Sequence, residues 1–186
     1  MRLNIFLFAA FIPVSAFAAD AQTSAYVDPQ FGFTLHYPQM AIVDKRDVSP
    51  SMVTTFDVSF TLMSPAAMFE PSTNLQEAAV FIGVSTNPAV VSACAAAAPS
   101  SGEKPNGTAM IGGAQFTRLK LFDGAAGSLG ESTIYRAVHA GACYELVEFL
   151  FYHDIGAYAP GTVQPFDEAK ITSMLDAVTQ SFAFAR

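Results

Sequence analysis

Residues 131–153 read ESTIYRAVHAGACYELVEFLFYH, two long apolar segments separated by Ala140-Gly141. Because glycine readily takes the positive φ that a tight hairpin needs, this stretch predicts two antiparallel strands, 131–139 and 142–153. Alternate residues of a strand share a face. In the second strand one face carries Cys143, Glu145, Val147, Phe149 and Phe151, and the other carries Tyr144, Leu146, Glu148, Leu150 and Tyr152. Both faces are largely apolar.

Four shorter segments also have the pattern of strands. Residues 31–37 and 55–62 alternate apolar and polar side chains, which predicts strands with one face toward the core. Residues 79–84 are apolar throughout, which is typical of a central strand covered on both faces. A further strand is predicted for residues 115–122, with its end at Asp123-Gly124.

Two segments predict helices. Residues 89–98 are rich in good helix formers and follow Asn87-Pro88, an N-cap residue and a first-turn proline. Residues 166–182 carry apolar side chains at spacings of four, three and four, with acidic residues in the first turn. These apolar residues are Ile171, Leu175, Val178 and Phe182. We expect Phe149 and Phe151 to be core residues beneath this C-terminal helix.

The segment between the first helix and the next strand is polar. Residues 99–108 contain proline, serine, glycine, lysine and asparagine, which predicts a mobile surface loop. Within it, Asn106-Gly107 is predicted to form a turn, although Asn106-Gly107-Thr108 is formally a glycosylation sequon. Together the elements predict an α+β domain in which about six strands, mostly antiparallel, carry a short helix and a long C-terminal helix.

The N-terminus has the order of a secretory signal peptide. Arg2 precedes an apolar run over residues 5–14, and small residues end the segment at Ala18. The run is shorter than the roughly 20 residues that cross a bilayer, and Pro13 interrupts it, so a cleaved leader is favoured over an uncleaved anchor. We therefore expect a signal peptide at 1–18, a single domain at 19–186 without a transmembrane segment, and a periplasmic or secreted protein.

The net charge limits the partners. Arg2 is the one charged residue of the leader, so its removal changes the formal net charge from −7 to −8. Nucleic acids and anionic membrane surfaces bind through clustered lysine and arginine, so neither is expected as a partner. We expect a monomer whose partner is an envelope protein or a small ligand.

The two cysteines, Cys94 and Cys143, allow one intramolecular pairing. In an oxidising compartment a disulfide is the simplest prediction, and it would fasten the short helix to the long hairpin. Closing a loop of this length contributes about 4 kcal/mol in the chain-entropy model. A redox pair and a catalytic thiol are the alternatives, but the cysteines are distant in sequence and no base is identified beside either one.

Two segments resemble a known group of domains. Tyr26-Val27-Asp28-Pro29-Gln30-Phe31-Gly32-Phe33-Thr34-Leu35-His36-Tyr37-Pro38 is similar to the opening of PsbP-like and Mog1-like domains. Residues 171–184, which end in Gln180-Ser181-Phe182-Ala183-Phe184, are similar to the closing helix and strand of the same group. The resemblance implies an α/β/α sandwich that acts by binding a partner. It carries over no site residue.

No catalytic, cofactor or metal site is predicted. The residues able to bind a metal show no recognised ligand spacing, and Glu145 and Glu148 face opposite sides of their strand. This set comprises His36, His139, His153, Asp154, Glu145 and Glu148. The chain has neither a Gly-x-Ser-x-Gly motif nor a phosphate-binding glycine loop with a lysine.

One end of the sheet is the predicted place for a binding groove. Its residues are Tyr152, His153, Asp154 and Tyr158, at the start of a long connection over residues 153–165. The leading hypothesis is a non-enzymatic, exported binding or accessory domain. The alternative is a small metal-assisted or simple hydrolytic enzyme that uses His153 and Asp154, and a third hypothesis is a structural protein of the envelope.

Overall fold

The computed structural model describes residues 23–39, 41–44, 58–65, 72–96, 99 and 102–185. The predicted signal peptide at 1–18 and the beginning of the predicted strand 55–62 lie outside these residues. The described part of the chain contains ten strands in two antiparallel sheets. The strands are β1 (Thr23–Asp28), β2 (Phe33–Pro38), β3 (Ile42–Asp44), β4 (Val58–Pro65), β5 (Leu75–Ser85), β6 (Lys104–Ile111), β7 (Ala114–Ala125), β8 (Ser128–His139), β9 (Ala142–His153) and β10 (Ala183–Phe184).

The main sheet has seven strands in the order β3-β4-β5-β9-β8-β7-β6, and the small sheet has the order β1-β2-β10. Two helices accompany them, α1 (Pro88–Ala95) and α2 (Glu168–Gln180), with a single 3-10 turn at Ile155–Ala157. The α+β class is therefore confirmed. Six strands were predicted: five of them lie in the main sheet, together with the unpredicted strands β3 and β6, and the sixth, β2, pairs with the short strands β1 and β10 in the small sheet.

The long hairpin forms as the sequence predicts. Ala140 and Gly141 both have positive φ, 48° and 80°, and His139 pairs with Ala142 across the turn. On its other side β9 pairs with β5 along ten register positions, which confirms β5 as a central strand. This arrangement places β8, β9 and β5 in the middle of the main sheet.

Helix α1 begins after its predicted cap, Asn87, whereas Asp167, predicted in the first turn of the second helix, is the N-cap of α2. Asn87 accepts a hydrogen bond from the backbone N–H of Ala89 at 2.9 Å, and Asp167 accepts one from Lys170 at 3.0 Å. Each cap satisfies an N–H that has no partner within its helix. On α2 the buried residues are Ile171, Leu175, Val178 and Thr179.

Two apolar clusters lie on opposite faces of the main sheet. The larger one joins α2 and the small sheet to the main sheet, and in it Phe33, Leu35 and Phe182 are each about 1% exposed, as predicted. The smaller cluster consists of Ala79, Phe81, Leu119, Ile134 and Val147, with Leu121 and Phe149 packed against it. Helix α1 is attached to this second face through Cys94 and Cys143.

Three predictions about individual segments are wrong. Phe149 packs with Phe81 at a centroid distance of 5.8 Å, so it and Phe151 lie on the face opposite α2. The strand predicted to end at Asp123-Gly124 continues to Ala125, because those two residues pair with Gly130 and Leu129 of β8.

The third correction concerns the predicted surface loop 99–108. Residues 104–108, the second half of this segment, belong to the edge strand β6, and the Asn106-Gly107 pair forms a bulge in that strand, where the register with β7 shifts. The Nε of Arg118 donates to the Asn106 carbonyl oxygen at 2.9 Å and holds the bulge. An edge strand tolerates proline and polar side chains, so composition alone did not distinguish it from a loop.

Candidate functional site

A polar cavity lies between α2 and strands β7, β8 and β9. The space inside it has a volume of about 80 Å³. We call it the Glu148 cavity, and its lining residues are Lys120, Glu131, Thr133, Glu148, Leu150, Glu168, Thr172 and Leu175. Sites that enclose a whole small molecule have volumes of about 300–1,000 Å³, and one water molecule takes up about 30 Å³. The cavity therefore has room for a few water molecules or for one polar group of a larger ligand.

Strand register places these side chains together. Lys120, Thr133 and Glu148 are direct partners across β7, β8 and β9, so they form one row on the sheet face that α2 covers. The neighbouring row on the same face contains Phe122, Glu131 and Leu150. Since directly opposite side chains of antiparallel strands touch one another, the two rows form the floor of the cavity.

Glu148 is the most deeply buried carboxylate of the cavity, with 5% of its surface exposed. Its Oε2 accepts a hydrogen bond from the Tyr135 hydroxyl at 3.3 Å, and the carboxyl group also interacts with the side chains of Thr179 and Asp176. The pKa of Glu148 is raised to about 7, mainly by burial; the charge and hydrogen bond of Asp176 also raise it, whereas hydrogen bonds from the Thr179 and Tyr135 hydroxyls lower it. The carboxyl group therefore titrates near neutral pH.

The remaining polar groups of the floor are paired. Lys120 Nζ donates to Thr133 Oγ1 at 2.6 Å, and the Tyr152 hydroxyl donates to Glu131 Oε1 in a short hydrogen bond. Burial raises the pKa of Tyr152 to about 12, and the hydrogen bond and charge of Glu131 act in the same direction. Phe122, opposite Glu131, is 61% exposed. Phe122 is thus an exposed ring in the same row as Glu131, and it is not one of the lining residues.

The other face of the sheet carries a buried ion cluster. Arg136 donates to both oxygens of Glu103, at 2.6 and 2.8 Å, and its Nε donates to Glu145 Oε2 at 2.6 Å. Burial lowers the pKa of Arg136, but the hydrogen bonds and charges of Glu103 and Glu145 outweigh it and raise the pKa above its usual value. As predicted, Glu145 and Glu148 lie on opposite faces. The cluster contributes nothing to the cavity and fastens the beginning of β6 to the sheet.

The four residues of the predicted groove lie at the end of β9, and three of them have local partners. His153 Nδ1 lies 3.2 Å from Ser128 Oγ, the Asp154 side chain accepts from the Gly156 N–H at 2.7 Å, and the Tyr158 hydroxyl accepts from Gln76 Nε2 at 3.5 Å. Tyr152 instead joins the Glu148 cavity through Glu131. A binding groove at His153, Asp154 and Tyr158 stays a prediction.

Two further residues of a type able to bind a metal, His36 and His139, have other surroundings. His36 is exposed, and the His139 ring stacks on Phe184 with a centroid distance of 3.8 Å. No three histidine, cysteine or carboxylate side chains of the described residues are grouped so that they could hold a metal ion.

A disulfide joins Cys94 of α1 to Cys143 at the beginning of β9, with a Cα–Cα distance of 5.9 Å. The predicted pairing is therefore present, and it fastens the short helix to the long hairpin. Within the described ranges, no helix is both long and apolar enough to cross a membrane.

The sequence matches no protein-family model and shows no significant similarity to a curated protein. Solved structures are similar to it. A Bacteroides thetaiotaomicron protein has a TM-score of 0.48 and 11% identity over 87% of this chain and 48% of that one, so this chain spans about half its length. Cyanobacterial PsbP (CyanoP) from Synechocystis sp. PCC 6803 has a TM-score of 0.41 and 15% identity over 90% of this chain and 95% of its own.

LpqN, involved in cell envelope biogenesis of Mycobacterium tuberculosis, has a TM-score of 0.32 and 10% identity over 91% of this chain and 88% of its own. The solved structures similar to this chain thus include a PsbP protein and a cell-envelope protein. The Mog1-like part of the resemblance stays a prediction.

Proposed function

We propose that this chain is an exported, non-enzymatic binding domain, periplasmic or secreted, whose ligand site is the Glu148 cavity. One observation carries the proposal: a carboxylate with 5% of its surface exposed lines a small open cavity between α2 and the main sheet. Keeping a charged carboxylate buried is costly unless it is paired. A ligand group that donates a hydrogen bond to Glu148 would reduce that cost on binding.

The leader and the disulfide support the exported location. Residues 1–18 have the pattern of a cleaved signal peptide, and disulfides form and persist mainly outside the cytoplasm. Cleavage after Ala18 gives a mature chain that begins at Ala19. N-terminal sequencing of protein from the envelope fraction checks this, and protein that retains residues 1–18 and fractionates with the cytoplasm would contradict export.

The binding function is tested on the mature protein as it leaves the cell. Native mass spectrometry of freshly purified material should show a bound small molecule, and a thermal-shift screen should find compounds that stabilise the protein. The Glu148→Gln variant keeps the shape of the side chain and should lose both signals. A protein that carries no small molecule, and that no compound of the screen stabilises, would contradict the proposal.

The hydrolase alternative has one observation in its favour. Ser128 Oγ and His153 Nδ1 are 3.2 Å apart, a distance at which histidine can activate a serine. The two residues are also direct partners across β8 and β9, so a local hydrogen bond explains the contact equally well. Hydrolysis of p-nitrophenyl acetate that disappears in both Ser128→Ala and His153→Ala would favour the enzyme.

A further inference from the structure

Asn106 and Gly107 form the bulge of the edge strand β6. The register between β6 and β7 shifts at this point, so that both residues stand opposite Arg118. Because β6 is the last strand of the main sheet, none of the described strands pairs with its other side. Gly107 is exposed, with a φ of 84°, and Asn106 is half-buried. Water therefore reaches the peptide bond between the two residues.

An asparagine followed by glycine permits a reaction within the backbone. The Gly107 nitrogen loses its proton to water or hydroxide and attacks the Asn106 Cγ, which closes a succinimide ring. The Cγ–Nδ2 bond breaks, and Nδ2 takes up a proton and leaves as ammonia. Glycine has no Cβ to hinder the attack, and the two reacting groups belong to adjacent residues. Water then opens the ring at either carbonyl and returns a proton to the Gly107 nitrogen, which leaves aspartate or isoaspartate at position 106.

Arg118 stabilises the reactive form of this peptide bond. When the Gly107 nitrogen loses its proton, the negative charge spreads through the amide to the Asn106 carbonyl oxygen. The Arg118 Nε donates a hydrogen bond to that same oxygen at 2.9 Å. A charged donor aimed at an atom that becomes negative lowers the barrier of a reaction, as in an oxyanion hole. The contact therefore promotes the step that starts the reaction.

Two other asparagines of the described residues lack these features. Asn74 is 5% exposed, and its side-chain amide donates to the His153 carbonyl oxygen at 2.7 Å and accepts from the Phe166 N–H at 3.0 Å. Asn87 precedes Pro88, whose nitrogen has no proton to lose. Both asparagines are therefore internal references for the reactivity of position 106.

We propose that Asn106 is a site of spontaneous deamidation, in which Arg118 promotes the attack of the Gly107 nitrogen on the Asn106 side chain. Water is the co-reactant, and no enzyme takes part. The reaction converts a neutral amide into a carboxylate at the edge of the main sheet, so the modified fraction grows with the age of the protein. It does not depend on whether the Glu148 cavity binds a ligand.

The bulge can hold either product. Isoaspartate places one more carbon in the main chain, and the bulge already sets two residues of β6 against one of β7. Strand β6 is fastened on both sides of the bulge, by the ion pair of Glu103 with Arg136 and by the pairs from Thr108 to Ile111. The new carboxylate stands opposite Arg118, which carries the opposite charge. We therefore expect the modified protein to stay folded.

Ageing of the purified mature protein tests the site. The protein is incubated in mildly alkaline buffer, and its proteolytic peptides are followed by mass spectrometry. The peptide with Asn106 should gain the mass difference between an amide and a carboxyl group, whereas the peptides with Asn74 and Asn87 should not. Ion-exchange chromatography should separate the more acidic product. No mass gain at Asn106 in the folded protein, over the time in which urea-unfolded protein is converted, would overturn the proposal.

Arg118→Met measures the contribution of the guanidinium group. Loss of one charge-assisted hydrogen bond to the developing anion should slow deamidation of the folded protein about tenfold. In urea the rate should be the same for parent and variant, because the contact with Asn106 is absent there. Arg118→Lys, which keeps the charge, should recover part of the rate. Circular dichroism checks that each variant has the fold of the parent.

The sign of the effect separates this role from a structural one. If Arg118 only restrained the bulge, its removal would loosen the segment and speed the reaction. A folded Arg118→Met protein that reacts as fast as the parent, or faster, would overturn the role of Arg118. Lys104→Met is the matched control, because it removes an exposed positive charge of β6 that makes no contact with the Asn106 carbonyl oxygen, and it should change the rate less than about twofold.

Discussion

Arg136 and Glu103 form a two-pronged ion pair, in which the Nη1 and Nη2 atoms each donate to a different carboxylate oxygen, at 2.8 and 2.6 Å. Both side chains are buried, and the Nε of the same guanidinium donates to Glu145. The pair spans 33 residues and joins the beginning of edge strand β6 to central strand β8. Its contribution to stability can be measured by removing the cation.

Arg136→Met should lower the free energy of unfolding by about 3–5 kcal/mol, because it leaves the buried carboxylates of Glu103 and Glu145 without this cation. Urea denaturation followed by circular dichroism measures the change. Arg118→Met is the matched control, since Arg118 is partly exposed and donates to the Asn106 carbonyl oxygen, and it should cost about 1 kcal/mol. Equal losses of unfolding free energy in the two variants would contradict a larger contribution from the buried cluster.

Glu148 predicts a specific pH dependence of stability. The pKa of Glu148 is raised from 4.5 to about 7 in the folded protein. Its contribution to the free energy of unfolding is therefore fully present below pH 4.5 and is lost as the pH rises to about 7. At 1.36 kcal/mol per pH unit the loss is about 3 kcal/mol. The titratable groups that act on Glu148 are Asp176 of α2 and Tyr135 of β8. Lys120 of β7 lies in the same row as Glu148, on the far side of Thr133 of β8.

Glu148→Gln removes this titration and supplies the measurement. The difference in unfolding free energy between the variant and the parent should move in favour of the variant by about 3 kcal/mol between pH 4 and pH 8. A Glu148→Gln profile parallel to the parent would mean that Glu148 titrates normally.

Gly112, in the turn between β6 and β7, lies against the backbone of Phe182 and Ala183. A Cβ atom there would lie 2.7 Å from the Phe182 carbonyl oxygen and 2.9 Å from the Ala183 Cα, whereas at Gly113 it would meet nothing within 4 Å. Both residues have positive φ, so alanine costs about 1–2 kcal/mol of backbone strain at either position. Gly112→Ala should lower the melting temperature further than Gly113→Ala, because it also displaces β10. Equal shifts would contradict the close approach.

Removing the disulfide should reduce stability without changing the fold. A Cys94→Ala, Cys143→Ala double variant is expected to lose about 4 kcal/mol, the chain-entropy value for a sequence separation of 49 residues. Urea denaturation of the variant and of the oxidised parent gives the difference, and reduced parent protein serves as the control. An oxidised parent no more stable than the double variant would contradict the prediction. Mass spectrometry without reductant should show the two cysteine peptides linked.

The local features of the fold were predictable from local patterns. Ala140-Gly141 indicated the hairpin, the spacing from Ile171 to Phe182 indicated the buried face of α2, and alternation placed Glu145 and Glu148 on opposite faces. Each of these depends on backbone conformation within a few residues. The partner of β2 was not predictable in this way, because alternation identifies a buried face without identifying the strand beside it.

The cavity and the ion cluster depend on register between distant strands. Lys120, Glu131 and Glu168 received no role from the sequence, since they meet Glu148 through the pairing of three strands and the position of α2. Glu103 also received no role, because the composition of residues 99–108 predicts a surface loop. One signal was present: two carboxylates in the otherwise apolar run 142–152 must each find a partner once the strand is buried on both faces.

The bond between Cys94 and Cys143 makes a covalent ring of the chain from the end of α1 to the beginning of β9, and β6, β7 and β8 lie within it. A protease that cuts once inside this ring produces no separate fragment, because both new ends remain attached through the sulfur atoms. The outer strands of the main sheet can therefore be nicked and still be held at high local concentration beside their partners. A single cut inside the ring therefore need not mean loss of the domain.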